Sequence, residues 1–90
     1  MARRVVRLGD PGSHDGAAQG EVIEASSDVF ANGLGVARVG DTYLCPIHGP
    51  NPIVSGSPSV WANGRRVAGV GDTTECGAVL VDGSPDTFVE

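Results

Sequence analysis

The chain has no lysine, one methionine, two histidines, two cysteines and four aromatic residues. Its six basic residues are all arginine, set against eleven acidic ones, for a formal net charge of −5. That balance argues against nucleic acid as a partner, because phosphate binding needs a positive field. Arg3, Arg4 and Arg7 form a short basic run, read as solvated charge on a terminal strand. No apolar run approaches the ~20 residues that span a bilayer. The N-terminus lacks the apolar stretch of a signal peptide, so the protein is expected to be made and at first retained in the cytoplasm. Fourteen glycines and six prolines interrupt every stretch long enough to hold a helical pattern. Val, Leu, Ile and Phe number 22, thirteen of them Val, which predicts a thin core built from strands. So small a core gains little from apolar burial alone, and a staple such as a metal or an oligomer contact is expected.

What is present is a period. Ser26 to Thr42 and Ser57 to Thr73 align without a gap and are identical at 11 of 17 positions. The apolar run ending in Gly-Asp occurs three times, closing at Asp10, Asp41 and Asp72. In each copy the glycine permits positive φ and the aspartate can bond the turn's own amides. Two copies carry Asn-Gly, at Asn32-Gly33 and Asn63-Gly64, the strongest short signal for a two-residue hairpin. The spacing predicts Val29–Ala31 paired with Val36–Val39 and Val60–Ala62 paired with Val67–Val70. The third hairpin is expected from the chain ends, Thr87–Val89 against Arg4–Leu8. Segments 15–24 and 49–56 read as extended connections, with a short strand at Glu21–Glu24. The expected fold is all-β, a small pseudo-threefold domain of short strands and hairpins. Phe30, Trp61 and Phe88 fall at equivalent positions, and two readings stay open for them: core filler, or a contact surface for a partner.

The same register superposes His14, Cys45 and Cys76, four residues beyond each Gly-Asp. His48 lies three residues after Cys45, so two ligands could sit on one tight turn. Two thiolates and two imidazoles suit tetrahedral Zn²⁺, and a full four-ligand shell leaves no position for a catalytic water. Taken singly, each residue has a plainer role: the cysteines as small buried hydrophobes, His14 as a loop residue. A disulfide between Cys45 and Cys76 is less favoured in a reducing compartment than metal binding or a free thiol pair. An enzyme reading would make Cys45 a nucleophile and His48 its base, oriented by Asp15 or Asp41. Residues three apart in a proline-containing turn chelate a metal more readily than they perform that chemistry. Asp10, Asp41 and Asp72 are read as turn caps, not as a catalytic carboxylate cluster.

The run from Gly56 to Asp72, together with Val36-Ala37-Arg38-Val39-Gly40-Asp41 and Cys45-Pro46-Ile47-His48-Gly49, resembles the PAAR-repeat family. The resemblance covers essentially the whole chain and implies one domain over residues 1–90. The namesake tetrapeptide is degraded here, to Gly35-Val36-Ala37-Arg38 and Arg66-Val67-Ala68-Gly69. The family implies a conical β-domain with one structural zinc near its apex and no enzymatic activity. Its site, often three histidines and one cysteine, carries over to His14, Cys45, His48 and Cys76, two of each type. The implied role is a tip that sharpens the spike of a contractile injection machine, in type VI secretion or phage-tail-like particles. Its partner would be a homotrimeric β-helical spike, one chain per trimer, with an effector as possible cargo and transient contact with a target membrane. After assembly in the cytoplasm it would sit at the particle tip and be delivered outside the cell or into a target. A stand-alone zinc-stabilised adaptor for effector loading is the alternative, and a thiol or zinc enzyme the third reading.

Overall fold

The computed structural model describes residues 2–14 and 18–89, and among these there is no helix. Eleven strands follow in chain order: β1 (Arg3–Arg4), β2 (Pro11–His14), β3 (Ala18–Val22), β4 (Phe30–Ala31), β5 (Leu34–Gly35), β6 (Thr42–Cys45), β7 (Gly49–Pro52), β8 (Trp61–Ala62), β9 (Arg65–Arg66), β10 (Val79–Leu80) and β11 (Phe88–Val89). Both Asn-Gly pairs form the expected two-residue turns, joining β4 to β5 and β8 to β9. Asn32 and Asn63 each hold φ of 55° there, as this turn requires. β1 and β11 supply the third pair, with Arg4 opposite Phe88. The outgoing strands that pair are Leu34–Gly35 and Arg65–Arg66, directly after each turn, not the expected Val36–Val39 and Val67–Val70, and the third pair uses Arg3–Arg4, not Arg4–Leu8. The outgoing strand stays with its partner only as far as Val36 or Val67, whose N–H groups donate to Val29 and Val60. It then leaves for the neighbouring unit, because the central contacts lie between units.

Those contacts form a ring. Val6 N–H donates to Ala68 O at 3.0 Å, Ala68 N–H to Ala37 O at 2.8 Å, and Ala37 N–H to Val6 O at 2.8 Å. The three residues are wholly buried and stand one period apart, so the repeat becomes a backbone triangle about an axis. The next contact outward is also threefold: Leu8, Val39 and Val70 donate to Gly35, Arg66 and Arg4 at 2.8 Å. Next come the Gly-Asp turns. Gly9, Gly40 and Gly71 have φ of 87°, 93° and 100°. The carboxylates of Asp10, Asp41 and Asp72 accept from the N–H groups of Arg7, Arg38 and Gly69 at 2.7–2.9 Å, which bears out their reading as turn caps.

Two of those caps are clamped by the arginine of their own turn, Arg7 on Asp10 and Arg38 on Asp41. The third turn has Gly69 in place of arginine, and Arg3 crosses from the chain's start to Asp72 at 2.8 Å. Arg3 is therefore a seam-closing residue and Arg7 a turn clamp, not solvated terminal charge as the sequence alone suggests, whereas the Arg4 side chain, paired with Asp82, is 41% exposed.

Beyond the turns, β10, β2, β3, β6 and β7 lie side by side in one antiparallel sheet. Bridges from Ile53 to Thr74 and from Thr73 to Val79 link the two outer strands through residues 73–74, so the sheet curls closed on itself. Gly-Pro-Asn-Pro is poor strand sequence and predicts a loop where the fold has β7. Its pairing with all four residues of β6 is imposed by closure. β3 begins at Ala18 and ends at Val22, earlier than the expected Glu21–Glu24.

The core has two layers. One, among the hairpins, holds Val5, Val36 and Val67 with Ala31, Ala62 and Val89. The other, inside the closed sheet, holds Val6, Ala37 and Ala68, then Val22, Ile53 and Leu80, with Tyr43, Cys45 and Ala78. Tyr43 breaks the symmetry. Its equivalents one period away are Gly12 and Thr74, so one ring occupies space that three medium side chains would share. A Cβ on Gly12 would come within 2.6 Å of that ring. Tyr43 Oη accepts from Gly20 N–H at 3.0 Å, and burial pushes its phenol pKa up.

Phe30, Trp61 and Phe88 are 59%, 60% and 55% exposed, which overturns their reading as core filler. In each hairpin the following residue, Ala31, Ala62 or Val89, turns inward instead. Strand alternation with a small inward residue puts the aromatic outside.

Candidate metal centre

The curled sheet places the site. His14 ends β2, Cys45 ends β6, and Cys76 lies in the turn leading to β10, so one repeat position supplies three residues to the end remote from the hairpins. His48 follows from the turn between β6 and β7. The donor atoms of His14, His48 and Cys76 all lie within 4.8 Å of one another. Cys45 Sγ adjoins them, 3.7 Å from His48 Nδ1. The imidazole rings of His14 and His48 are tilted by 49° with centroids 4.7 Å apart. His14, His48 and Cys76 thus converge, and Cys45 stands beside His48 outside that group of three. Asp15, the proposed orienting group of the enzyme reading, lies outside the described residues. Asp41 is fully buried and bonded to Arg38, its own turn and Arg65.

The environment suits a metal. A tetrahedral zinc with bonds of ~2.3 Å to sulfur and ~2.0 Å to nitrogen separates two such ligands by about 3.6 Å, close to the Cys45–His48 spacing. His14 Nε2 lies 2.9 Å from the Cys76 carbonyl oxygen. With Nε2–H donating there, Nδ1 keeps its lone pair, the usual way an outer partner fixes a ligand tautomer. At Cys76 burial opposes ionisation, but the Thr74 hydroxyl at 3.3 Å, the Ala78 amide and contacts with Cys45 and Asn51 outweigh it, and the thiol pKa is lowered. Asn51 Oδ1 also accepts from Cys76 N–H at 3.1 Å. Sequence reasoning passed over Thr74 and Asn51. Nothing in residue type marks either, since only strand pairing brings β7 beside residues 74–76.

The fold and this cluster define an all-β, pseudo-threefold protein with a His/His/Cys group able to hold a metal ion at one end. A family model for the PAAR motif matches residues 8–82, and the chain belongs to that family. No curated protein matches it.

Proposed function

We propose that this chain caps the homotrimeric β-helical spike of a contractile injection machine, one chain per trimer. The observation that carries the reading is the backbone triangle of Val6, Ala37 and Ala68, since a single chain with three equivalent sides can meet three identical subunits at once. The exposed aromatics Phe30, Trp61 and Phe88 repeat with the same symmetry, as a surface facing a trimer would. Family membership supports the association with a spike, whether of a type VI system or a phage-tail-like particle. The whole of residues 1–90 would act as one such unit, travelling from the cytoplasm to the particle tip and meeting a target membrane there. Cargo effectors would bind it or the spike.

In this reading His14, Cys45, His48 and Cys76 hold one zinc. The metal would supply a rigid closure at the end of the curled sheet, where the apolar core stops at Tyr43, Cys45 and Ala78. Four protein ligands leave no exchangeable water, so no catalytic turnover is expected. Native mass spectrometry of the protein mixed with its cognate spike tests the cap. One chain per trimer is the expected result; three per trimer, or no association with the trimer's end, overturns it.

A further inference from the structure

We propose that Cys45 and Cys76 form an oxidation site at which the two thiols close to a disulfide and the metal is expelled. The proposal rests on the ligand set just given. Both cysteines occupy the same repeat position on neighbouring thirds of the molecule. One short strand holds both backbones: β7 pairs Gly49 with Cys45, and two residues on, Asn51 accepts the Cys76 amide. Both sulfurs also reach one imidazole, Cys45 at 3.7 Å and Cys76 within 4.8 Å of the His48 donor atom. Their exposure differs. Cys45 is buried in the core, whereas Cys76 is half-buried beside the exposed His48. An oxidant therefore meets Cys76 first, and Cys45 waits behind it. The chain has no third cysteine to compete.

The oxidant considered is hydrogen peroxide. The Cys76 sulfur attacks one peroxide oxygen, the O–O bond breaks, and Cys76 becomes a sulfenic acid as hydroxide leaves. The Cys45 sulfur then attacks the Cys76 sulfur, the S–S bond forms, the S–O bond breaks, and a second hydroxide leaves. Two protons convert the hydroxides to water, so two thiolates lose two electrons and one peroxide is reduced. The thiolate is the zinc ligand and a disulfide sulfur is not, so the two imidazoles left behind cannot retain the ion. The outcome is an exchange of staples: a metal closure in the reduced protein, a covalent one joining the end of β6 to the turn before β10 after oxidation.

The test is titration of zinc-loaded protein with hydrogen peroxide, reading zinc release with a chromogenic chelator and linkage by peptide mass mapping. One zinc released per Cys45–Cys76 disulfide, reversed by dithiothreitol with zinc uptake, is expected. The oxidised form should also keep its fold in EDTA. Sulfinic or sulfonic acid at Cys76 with Cys45 still reduced, interchain dimers, or zinc retained after the disulfide has formed would overturn the proposal. Protein that never holds zinc when reduced would instead sink the ligand set. The pairing is then judged on the metal-free chain: faster linkage in the folded than in the guanidinium-unfolded state supports it, and equal rates refute it.

Discussion

At the scale of single residues, the closed sheet depends on positions where nothing larger fits. A Cβ at Gly20 would sit 2.0 Å from the Leu44 carbonyl oxygen and 2.7 Å from Tyr43 Oη. The first obstacle is backbone, so it cannot swing aside. Gly20→Ala should destabilise the protein by about 1–3 kcal/mol, read as a lower urea midpoint. Ala at Gly33 meets open space, and there the cost is conformational, from φ of 79° alone. Gly33→Ala should therefore cost less than Gly20→Ala in the same experiment.

At the scale of elements, the hairpins are bound to their neighbours by a repeated polar knot. Asn63 donates to Asp28 at 2.7 Å and accepts from Ser26 and Arg38. Asn32 does the same with Asp86, Ser84 and Arg7. The side-chain bond from Asn63, then that from Ser26, holds the Asp28 pKa below its ordinary value, and Asn32 and Ser84 do so for Asp86. A carboxylate with a depressed folded pKa contributes stability that is complete above its unfolded pKa and lost as pH falls through the folded one. Asn32→Ala and Asn63→Ala should each lower the urea midpoint near neutral pH. They should also flatten its fall between about pH 5 and pH 2.

The Asn-Gly hairpins, the Gly-Asp turns and the meeting of His14, His48 and Cys76 were legible, because the turns and the repeat position of His14 and Cys76 recur at a fixed interval and His48 lies one tight turn beyond it. The curled sheet was not. Pro11-Gly12-Ser13-His14 and Gly49-Pro50-Asn51-Pro52 are poor strand sequences; each pairs with the strand beside it in the chain, and what holds them there is contact on their other side with β10 and with residues 75–76 far along the chain. The aromatics misled for a related reason: size suggested burial, but the inward position in each hairpin was already taken by Ala31, Ala62 or Val89.

At the scale of the whole molecule, the two ends are held by different means. The hairpin end has six interlocking aliphatic residues, while the closed sheet, packed about Val22, Ile53 and Leu80, ends beyond Tyr43 in two cysteines and two histidines. Chelation of the reduced protein should therefore loosen residues 45–51 and 73–79 before the hairpins. Hydrogen exchange in EDTA would report this as lost amide protection at Glu75 and Cys76 while Val36 and Val67 stay protected; uniform loss would contradict it.

The third hairpin joins β1 and β11 where the other two have a continuous chain. Topologically the fold is a closed loop that happens to be cut at that corner, and the cut need not stay there. A circular permutant joining residues 89 and 3 through an added Asn-Gly, and opened between Asn32 and Gly33, should keep every pairing that matters. It would be expected to fold to the same structure and bind the same metal, its break moved by one third of a turn. An amide spectrum unlike that of the parent away from the old and new ends would show that the three corners are not interchangeable.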